Sequence, residues 1–146
     1  MELQYEVCPR RLQPEDVDRA MKSVLLFWDH TPTVEQLQAF LANDANILIS
    51  AELDDVPVGQ AIGYILQRWD GSDPMLFLYS IDVAEEYHRR GIGRSIINFL
   101  RETGKAHGCA STFVVTNENN TAAMHLYQST GGKRPWEDDV LFVYEG

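Results

Sequence analysis

A turn rich in glycine and arginine, residues 87–94, separates an apolar run from a strongly periodic segment. The apolar run covers residues 75–83 and has the length and the bulky side chains of a strand. After the turn, apolar residues recur at the spacing of one helical face, at Ile92, Ile96, Phe99 and Leu100. The stretch predicts a strand that leads directly into a helix, and a crossover helix of this kind sets two strands parallel.

The same turn is a candidate anion-binding site. A helix N-terminus presents unpaired N–H groups and the positive end of its dipole, and glycines let a phosphate approach the backbone closely. The neighbouring arginines carry planar forks that bind phosphates. A dinucleotide fingerprint is excluded because position 96 is Ile96, and a P-loop is excluded because no lysine lies here. Phosphate binding is the favoured interpretation, and a purely structural tight turn is the alternative.

Composition limits the class of protein and its partners. With 146 residues, of which 45% are hydrophobic, the chain can form one folded domain over residues 1–146. It has no apolar run long enough to cross a bilayer and no signal-peptide pattern, so we expect a cytoplasmic protein without a membrane partner. The net charge of −10 argues against nucleic acid as a partner and suits a cationic substrate. The two cysteines make no metal-binding framework.

Hydrophobic periodicity and turn residues predict the element order β-α-α-β-β-β-α-β-α-β, which is that of a mixed α/β domain. The predicted strands cover residues 3–8, 47–53, 58–68, 75–83, 111–116 and 140–144. The predicted helices cover residues 13–27, a segment that starts near Thr33, residues 91–107, which end at the left-handed cap residue Gly108, and residues 119–130, which end at Gly131 and Gly132.

Two motifs resemble those of the Gcn5-related N-acetyltransferases, and the likeness extends over nearly the whole chain. In the first, Gly91-x-Gly93 follows the strand ending at Val83, with His88 where the family has arginine or glutamine. The second reads Asn120-x-x-Ala123-x-x-Leu126-Tyr127-x-x-x-Gly131, and Gly132 replaces the usual phenylalanine. The resemblance implies a mixed central sheet of about six to seven strands, flanked by about four helices.

The resemblance also implies a cofactor, acetyl-CoA. Its pyrophosphate would lie on the backbone N–H groups of the turn, and its pantetheine arm would run beside the strand that ends at Val83. The cofactor-binding residues implied in this way are Ile81, Val83, His88, Arg89, Arg90, Gly91, Ile92, Gly93, Arg94, Asn120, Ala123 and Tyr127.

The implied chemistry is direct transfer of the acetyl group to an amine within a ternary complex, without an enzyme nucleophile. The amine must lose a proton, and Asp82 is the candidate base or amine anchor, against the alternative of an ordinary outward-facing strand residue. The leaving thiolate needs a proton, and Tyr127 is the candidate donor, against the alternative of a core tyrosine. The candidate substrate-binding residues are Tyr79, Asp82, Asp138 and Asp139.

A narrower likeness is to the aminoglycoside 3-N-acetyltransferases, carried by residues 78–83, the basic stretch that follows them, and the acidic approach to residues 140–142. It implies acetylation of the 3-amine of a polycationic antibiotic and hence drug resistance. Several carboxylates suit a substrate with several ammonium groups. The alternatives are a polyamine, an amino acid or a protein N-terminus as acceptor, or a CoA-binding module without catalysis. Relatives of this kind are often homodimers, and we expect the same here.

Overall fold

The computed structural model describes residues 7–146, which group into two compact units, residues up to Val115 and Thr116–Gly146. We call these the sheet unit and the C-terminal unit. The strands of the sheet unit are β1 (Cys8–Arg11), β2 (Asn46–Leu53), β3 (Val56–Leu66), β4 (Met75–Val83) and β5 (Ser111–Val114). Its helices are α1 (Val17–Phe27), α2 (Val34–Ala42) and α3 (Ile92–Ala106), and the C-terminal unit holds α4 (Thr121–Ser129).

The five strands form one sheet in chain order, β1-β2-β3-β4-β5. Every neighbouring pair is antiparallel except β4 and β5, which are parallel and are joined through α3. The predicted mixed α/β fold and its single parallel crossover are confirmed. The turn between β2 and β3 places Asp54 at φ 51° and Asp55 at φ 63°, the left-handed conformation that suits the twist of a two-residue hairpin.

Helices cover both faces of the sheet. Helices α1 and α2 cover one face, where the core comprises Leu12, Ala20, Val24, Leu37, Leu41 and Leu48. Helix α3 covers the other face with Ile96 and Leu100, which are almost fully buried. This helix lies very close to β3, because a Cβ added to Gly59 would come within 2.8 Å of Ile96 Cδ1 and 3.2 Å of Ile92 Cγ2. Glycine at position 59 therefore sets the distance between helix and sheet.

Some predicted boundaries differ from the structure. Residues 3–6 of the predicted first strand lie outside the described residues, and β1 instead starts at Cys8. The predicted helix over residues 13–27 begins as a short 3-10 turn, Pro14–Asp16, before α1.

The predicted last strand, residues 140–144, is wrong, since residues 132–146 form neither helix nor strand. A strand needs a neighbouring strand to satisfy its backbone groups, and an apolar run alone does not supply one. The described sheet therefore has five strands, fewer than the six to seven implied by the resemblance.

Helices α3 and α4 end in the same way. After α3, Gly108 adopts φ 78°, its N–H donates to Lys105 O at 2.9 Å, and Cys109 N–H donates to Gly104 O at 2.9 Å. This is the Schellman arrangement, which satisfies the last carbonyls of a helix. After α4, Gly131 and Gly132 repeat it with Gln128 and Tyr127 as acceptors. Both predicted glycine stops are confirmed.

The left-handed cap of α3 can be tested by substitution at Gly108. A Cβ on Gly108 would meet no atom within 4 Å, so Gly108→Ala changes only the backbone energy at φ 78°. We expect the free energy of unfolding to fall by about 1–2 kcal/mol, as measured by urea denaturation. Gly108→Asn should lose less, because asparagine tolerates this conformation better than alanine. An alanine variant as stable as the parent protein would show that the left-handed backbone at Gly108 carries no such cost.

Candidate functional site

Strand β4 supplies an edge that has no strand partner near its C-terminal end. It pairs with β3 along its whole length, but with β5 only from Met75 to Leu78. Residues 79–83 therefore have a strand neighbour on one side only, within the described part of the chain. We call this stretch the open edge. Peptide groups on such an edge can pair with an extended ligand, as an added strand does.

A β-bulge explains why β4 leaves β5 at this point. In the register of β3 and β4, Ile62 lies opposite Ser80 and Gly63 lies opposite Leu78, so Tyr79 is an extra residue in β4. A bulge bends its strand and increases the local twist. The bend begins directly after Leu78, the last residue that pairs with β5.

The register assigns the site residues of β4 to opposite faces of the sheet. Val83 lies opposite Gly59 and Ile81 opposite Ala61, on the face covered by α3. Asp82 lies opposite Gln60, on the face covered by α1, because Gln60 bonds to Ser23 of that helix. Asp82 is half-buried, and its role as base or amine anchor stays a prediction.

A short 3-10 helix, Glu85–Tyr87, leads from the open edge into the glycine-arginine turn. Arg89 at φ 64° and Gly91 at φ 80° both adopt the left-handed conformation, and Gly91 is the N-cap residue of α3. The first intrahelical hydrogen bond of α3 is donated by Ser95 N–H and accepted by Gly91 O. The N–H groups of Ile92, Gly93 and Arg94 thus belong to the first turn, where intrahelical acceptors are lacking. A Cβ on Gly91 would meet nothing within 4 Å, so space remains around this helix end.

Two side chains of the turn have partners within it. His88 Nε2 lies 2.8 Å from Val83 O, and because a carbonyl only accepts hydrogen bonds, the proton is on Nε2 and the imidazole donates. This bond ties the turn to the end of β4. The guanidinium of Arg90 lies 5.3 Å from the ring centre of Tyr87, within range of a cation–π contact. Histidine at position 88 therefore has a local structural task, in addition to the predicted contact with a cofactor.

Aromatic side chains line the α1 face beside Asp82. Tyr79, which is 51% exposed, stacks on Trp28 with ring centres 6.2 Å apart. It also meets the edges of Tyr64 at 5.8 Å and Phe77 at 6.1 Å. Burial raises the pKa of Tyr64 above its ordinary value, and the neighbouring Tyr79 raises it further. Tyr79, predicted to bind substrate, is the exposed member of this aromatic cluster.

Sequence reasoning missed Gln60, Ser23 and Trp28, which are partly or fully buried around this region. The one signal in the sequence was a glutamine inside the otherwise small and apolar run of residues 58–65. Its position opposite Asp82 follows from the strand register, which the sequence does not determine.

The C-terminal unit carries the remaining predicted residues. Asn120 is the N-cap of α4, since its Oδ1 accepts from Ala123 N–H at 3.1 Å. Tyr127 is half-buried on the same helix. Asp138 and Asp139 are exposed and lie in the stretch without helix or strand. The hydrogen bond between Asn120 and Ala123 thus caps the start of α4, a structural role that is separate from the predicted binding of the cofactor.

Two structural features are absent from residues 7–146. None of the helices there combines the length and the apolarity needed to span a bilayer. No cluster of three or more histidine, cysteine, aspartate or glutamate side chains in this part of the chain has the arrangement of a metal site.

Comparison with known proteins agrees with the motifs. Residues 13–131 match the sequence model of the acetyltransferase (GNAT) family, a span that includes the open edge, the turn and α4. The [ribosomal protein bS18]-alanine N-acetyltransferase of Escherichia coli strain K12 is 33% identical over 54 residues, which is 37% of this chain. The matches to curated relatives cover only 22% to 36% of those proteins' own length.

Solved structures share the fold over almost the full chain. An aminoglycoside acetyltransferase from an uncultured soil metagenomic sample, in complex with trehalose, superposes with a TM-score of 0.87 at 24% identity, covering 99% of both chains. The structure of AAC(6′)-Iy with a bisubstrate analogue, CoA-S-monomethyl-acetylneamine, gives a TM-score of 0.80 at 21% identity, covering 97% of this chain and 99% of the other. At these identities the likeness establishes the fold.

The phenol of Tyr64 supplies a pH test of the aromatic cluster. Because the folded state holds this proton more tightly than the unfolded state, its contribution to stability is complete below the ordinary pKa of 10.0 and is lost as the pH rises through the higher folded value. We expect Tyr64→Phe to reduce the loss of stability in urea titrations above about pH 10. Tyr144→Phe is the control, since that ring is 94% exposed. If the stability of Tyr64→Phe and that of the parent protein fell equally as the pH rose, the raised pKa of Tyr64 would be contradicted.

Proposed function

The chain belongs to the acetyltransferase (GNAT) family, and we propose that it transfers the acetyl group of acetyl-CoA to an amine of an aminoglycoside. Acetyl-CoA is the acetyl donor of this family. The observation that carries the proposal is that the open edge, residues 79–83, leads through one short 3-10 helix and the turn to the first-turn amides of α3. The open edge would form hydrogen bonds with the extended pantetheine arm, and the start of α3 would donate hydrogen bonds to the pyrophosphate.

The turn fits the anionic part of acetyl-CoA in charge and in shape. Its amides at Ile92, Gly93 and Arg94 would donate to the pyrophosphate oxygens, and the left-handed residues Arg89 and Gly91 shape the backbone around them. The arginine side chains add positive charge in a chain of net charge −10. The pantetheine arm would pair with the open edge on the side away from β3.

Acetyl-CoA supplies a thioester whose carbonyl carbon the amine nitrogen attacks, forming the C–N bond as the C–S bond breaks. In the proposed reaction Asp82 accepts the proton that the ammonium group loses, at a carboxylate oxygen on the α1 face. Tyr127 would donate its phenolic proton to the leaving sulfur, and the second proton that the nitrogen loses as the amide forms would restore the phenol. The aromatic face of Tyr79 would contact the acceptor, and Asp138 and Asp139 would attract its other ammonium groups.

Two solved structures of similar fold support an aminoglycoside as the acceptor, because one is an aminoglycoside acetyltransferase crystallised with trehalose and another contains an acetylneamine analogue. The sequence motifs favour the 3-amine as the position acetylated, and consequently a role in drug resistance. The second candidate acceptor is the N-terminal alanine of a ribosomal protein, favoured by the match to the Escherichia coli enzyme over 54 residues.

An acceptor panel tests the proposal. We expect acetyl-CoA turnover with sisomicin and apramycin and much slower turnover with spermidine or with peptides that begin with alanine. Mass spectrometry counts the acetyl groups, and NMR of the product identifies the acetylated amine, the 3-amine or the 6′-amine. Expression in a susceptible bacterium should raise the inhibitory concentration of each drug that is acetylated. Turnover of the peptides alone would replace the aminoglycoside with a protein substrate.

Tyr127→Phe tests the proton donor separately. The variant keeps the ring and removes the hydroxyl, so we expect kcat to fall at least about tenfold while the variant still binds acetyl-CoA. Steady-state kinetics gives kcat, and calorimetric titration with CoA gives the affinity. A phenylalanine variant with the parent kcat would exclude Tyr127 as the donor and would leave the choice of acceptor untouched.

A further inference from the structure

A glutamine is completely buried in the centre of the sheet. Gln60 lies in β3 between Gly59 and Ala61 and is 0% exposed. A buried amide costs free energy unless its oxygen and its nitrogen both find hydrogen-bond partners. An apolar residue would fill this position without that cost, so the amide needs an explanation beyond packing.

Only one end of the amide is satisfied within the described part of the chain. Ser23 of α1, also 0% exposed, donates from Oγ to Gln60 Oε1 at 2.6 Å. This short bond fixes which end of the amide faces α1. The Nε2 group is buried and has no hydrogen-bond partner among residues 7–146. A donor is thus held in a fixed orientation with its protons free to bond.

The neighbour of Gln60 on β4 is Asp82. The two residues are directly opposed in the antiparallel register, so their side chains share one face and their Cβ atoms lie about 4.5–5.5 Å apart. Ser80 Oγ donates to Asp82 Oδ2 at 3.3 Å, and the remaining lone pairs of the carboxylate can accept from a further donor. The Asp82 carboxylate, which can accept another hydrogen bond, therefore lies on the strand next to Gln60 Nε2, a buried donor without an acceptor among the described residues.

The neighbour of Gln60 on the other side is already engaged. Ser50 of β2 lies opposite Gln60, and its Oγ donates to Glu52 Oε1 at 3.4 Å. Glu52 in turn forms an ion pair with Arg19 of α1. Glu52 and Arg19 are thus paired with each other, and the carboxylate of Asp82 on β4 is the group that suits Gln60 Nε2.

We propose that Gln60 is a positioning residue, whose Nε2 donates to the Asp82 carboxylate, directly or through one water, when the acceptor amine is bound. The bond would orient the carboxylate so that its remaining lone pairs face the amine. Ser23 acts one step further away, by holding the amide of Gln60. The inference rests on the role proposed above for Asp82, and it adds a residue that touches neither substrate nor acetyl-CoA.

A double-mutant cycle tests this coupling, using the amine that gives the fastest turnover in the acceptor panel. Gln60→Glu keeps the shape of the side chain and the acceptor for Ser23, and removes the amide donor. Gln60→Met removes both polar ends. We expect either change to lower kcat about tenfold with the KM for acetyl-CoA unchanged, and to have no further effect in the Asp82→Asn background. Ser50→Ala is the matched control, since it removes an equally buried hydroxyl whose partner is Glu52, and it should retain the parent kcat.

The outcomes separate the inference from the function on which it rests. Equal losses from Gln60→Glu in the parent and in the Asp82→Asn background would show that Gln60 acts independently of Asp82, and would overturn the inference. Parent-like kcat for both Gln60 variants would overturn it as well. Parent-like kcat for Asp82→Asn alone would instead remove Asp82 from the proposed reaction. Thermal unfolding of each variant identifies any loss that comes from misfolding, and Gln60→Glu keeps the cycle usable if Gln60→Met does not fold.

Discussion

The contact of α3 with β3 at Gly59 is the constraint on which the candidate site depends. Ile92 and Ile96 approach Gly59 so closely that an added Cβ would come within 2.8 Å of Ile96 Cδ1, and Gly59 lies opposite Val83 at the end of β4. The first turn of α3 is therefore held one strand away from the end of the open edge. Because the distance is set by buried apolar atoms, the amides at the helix start keep their place without help from a ligand.

The sheet also separates two kinds of chemistry by face. On the α3 face, Ile81 and Val83 lie beside the apolar core, and the glycine-arginine turn follows the end of β4. On the α1 face, Asp82, Ser80 and buried amide and hydroxyl groups form a polar region bordered by aromatic rings. Strand alternation alone produces this division, since neighbouring residues of β4 point to opposite faces. A bulge of one residue at Tyr79 adds an aromatic ring to the polar face.

The parts of the fold that depend on local sequence were predictable. The strand before the turn, the helix after it and both glycine stops rest on periodicity and on backbone conformation, which neighbouring residues determine. The last strand was not predictable, because residues 140–144 have strand-forming side chains but their pairing depends on a distant edge. The same reason explains why Gln60 was missed. Its significance comes from its register with Asp82, and a shift of one residue would have turned it toward α3.

The open edge has a consequence for how the protein behaves without ligand. Unpaired peptide groups along a strand are a template for any other extended chain, and natural sheets usually protect such edges with charges, bulges or covering elements. In the proposed function the edge stays available for the pantetheine arm, and the bulge at Tyr79 bends it away from a straight competing strand. In that function the ligand-free protein presents the template and the CoA complex does not. Occupancy by CoA, which binds only the folded chain, opposes both unfolding and aggregation by mass action.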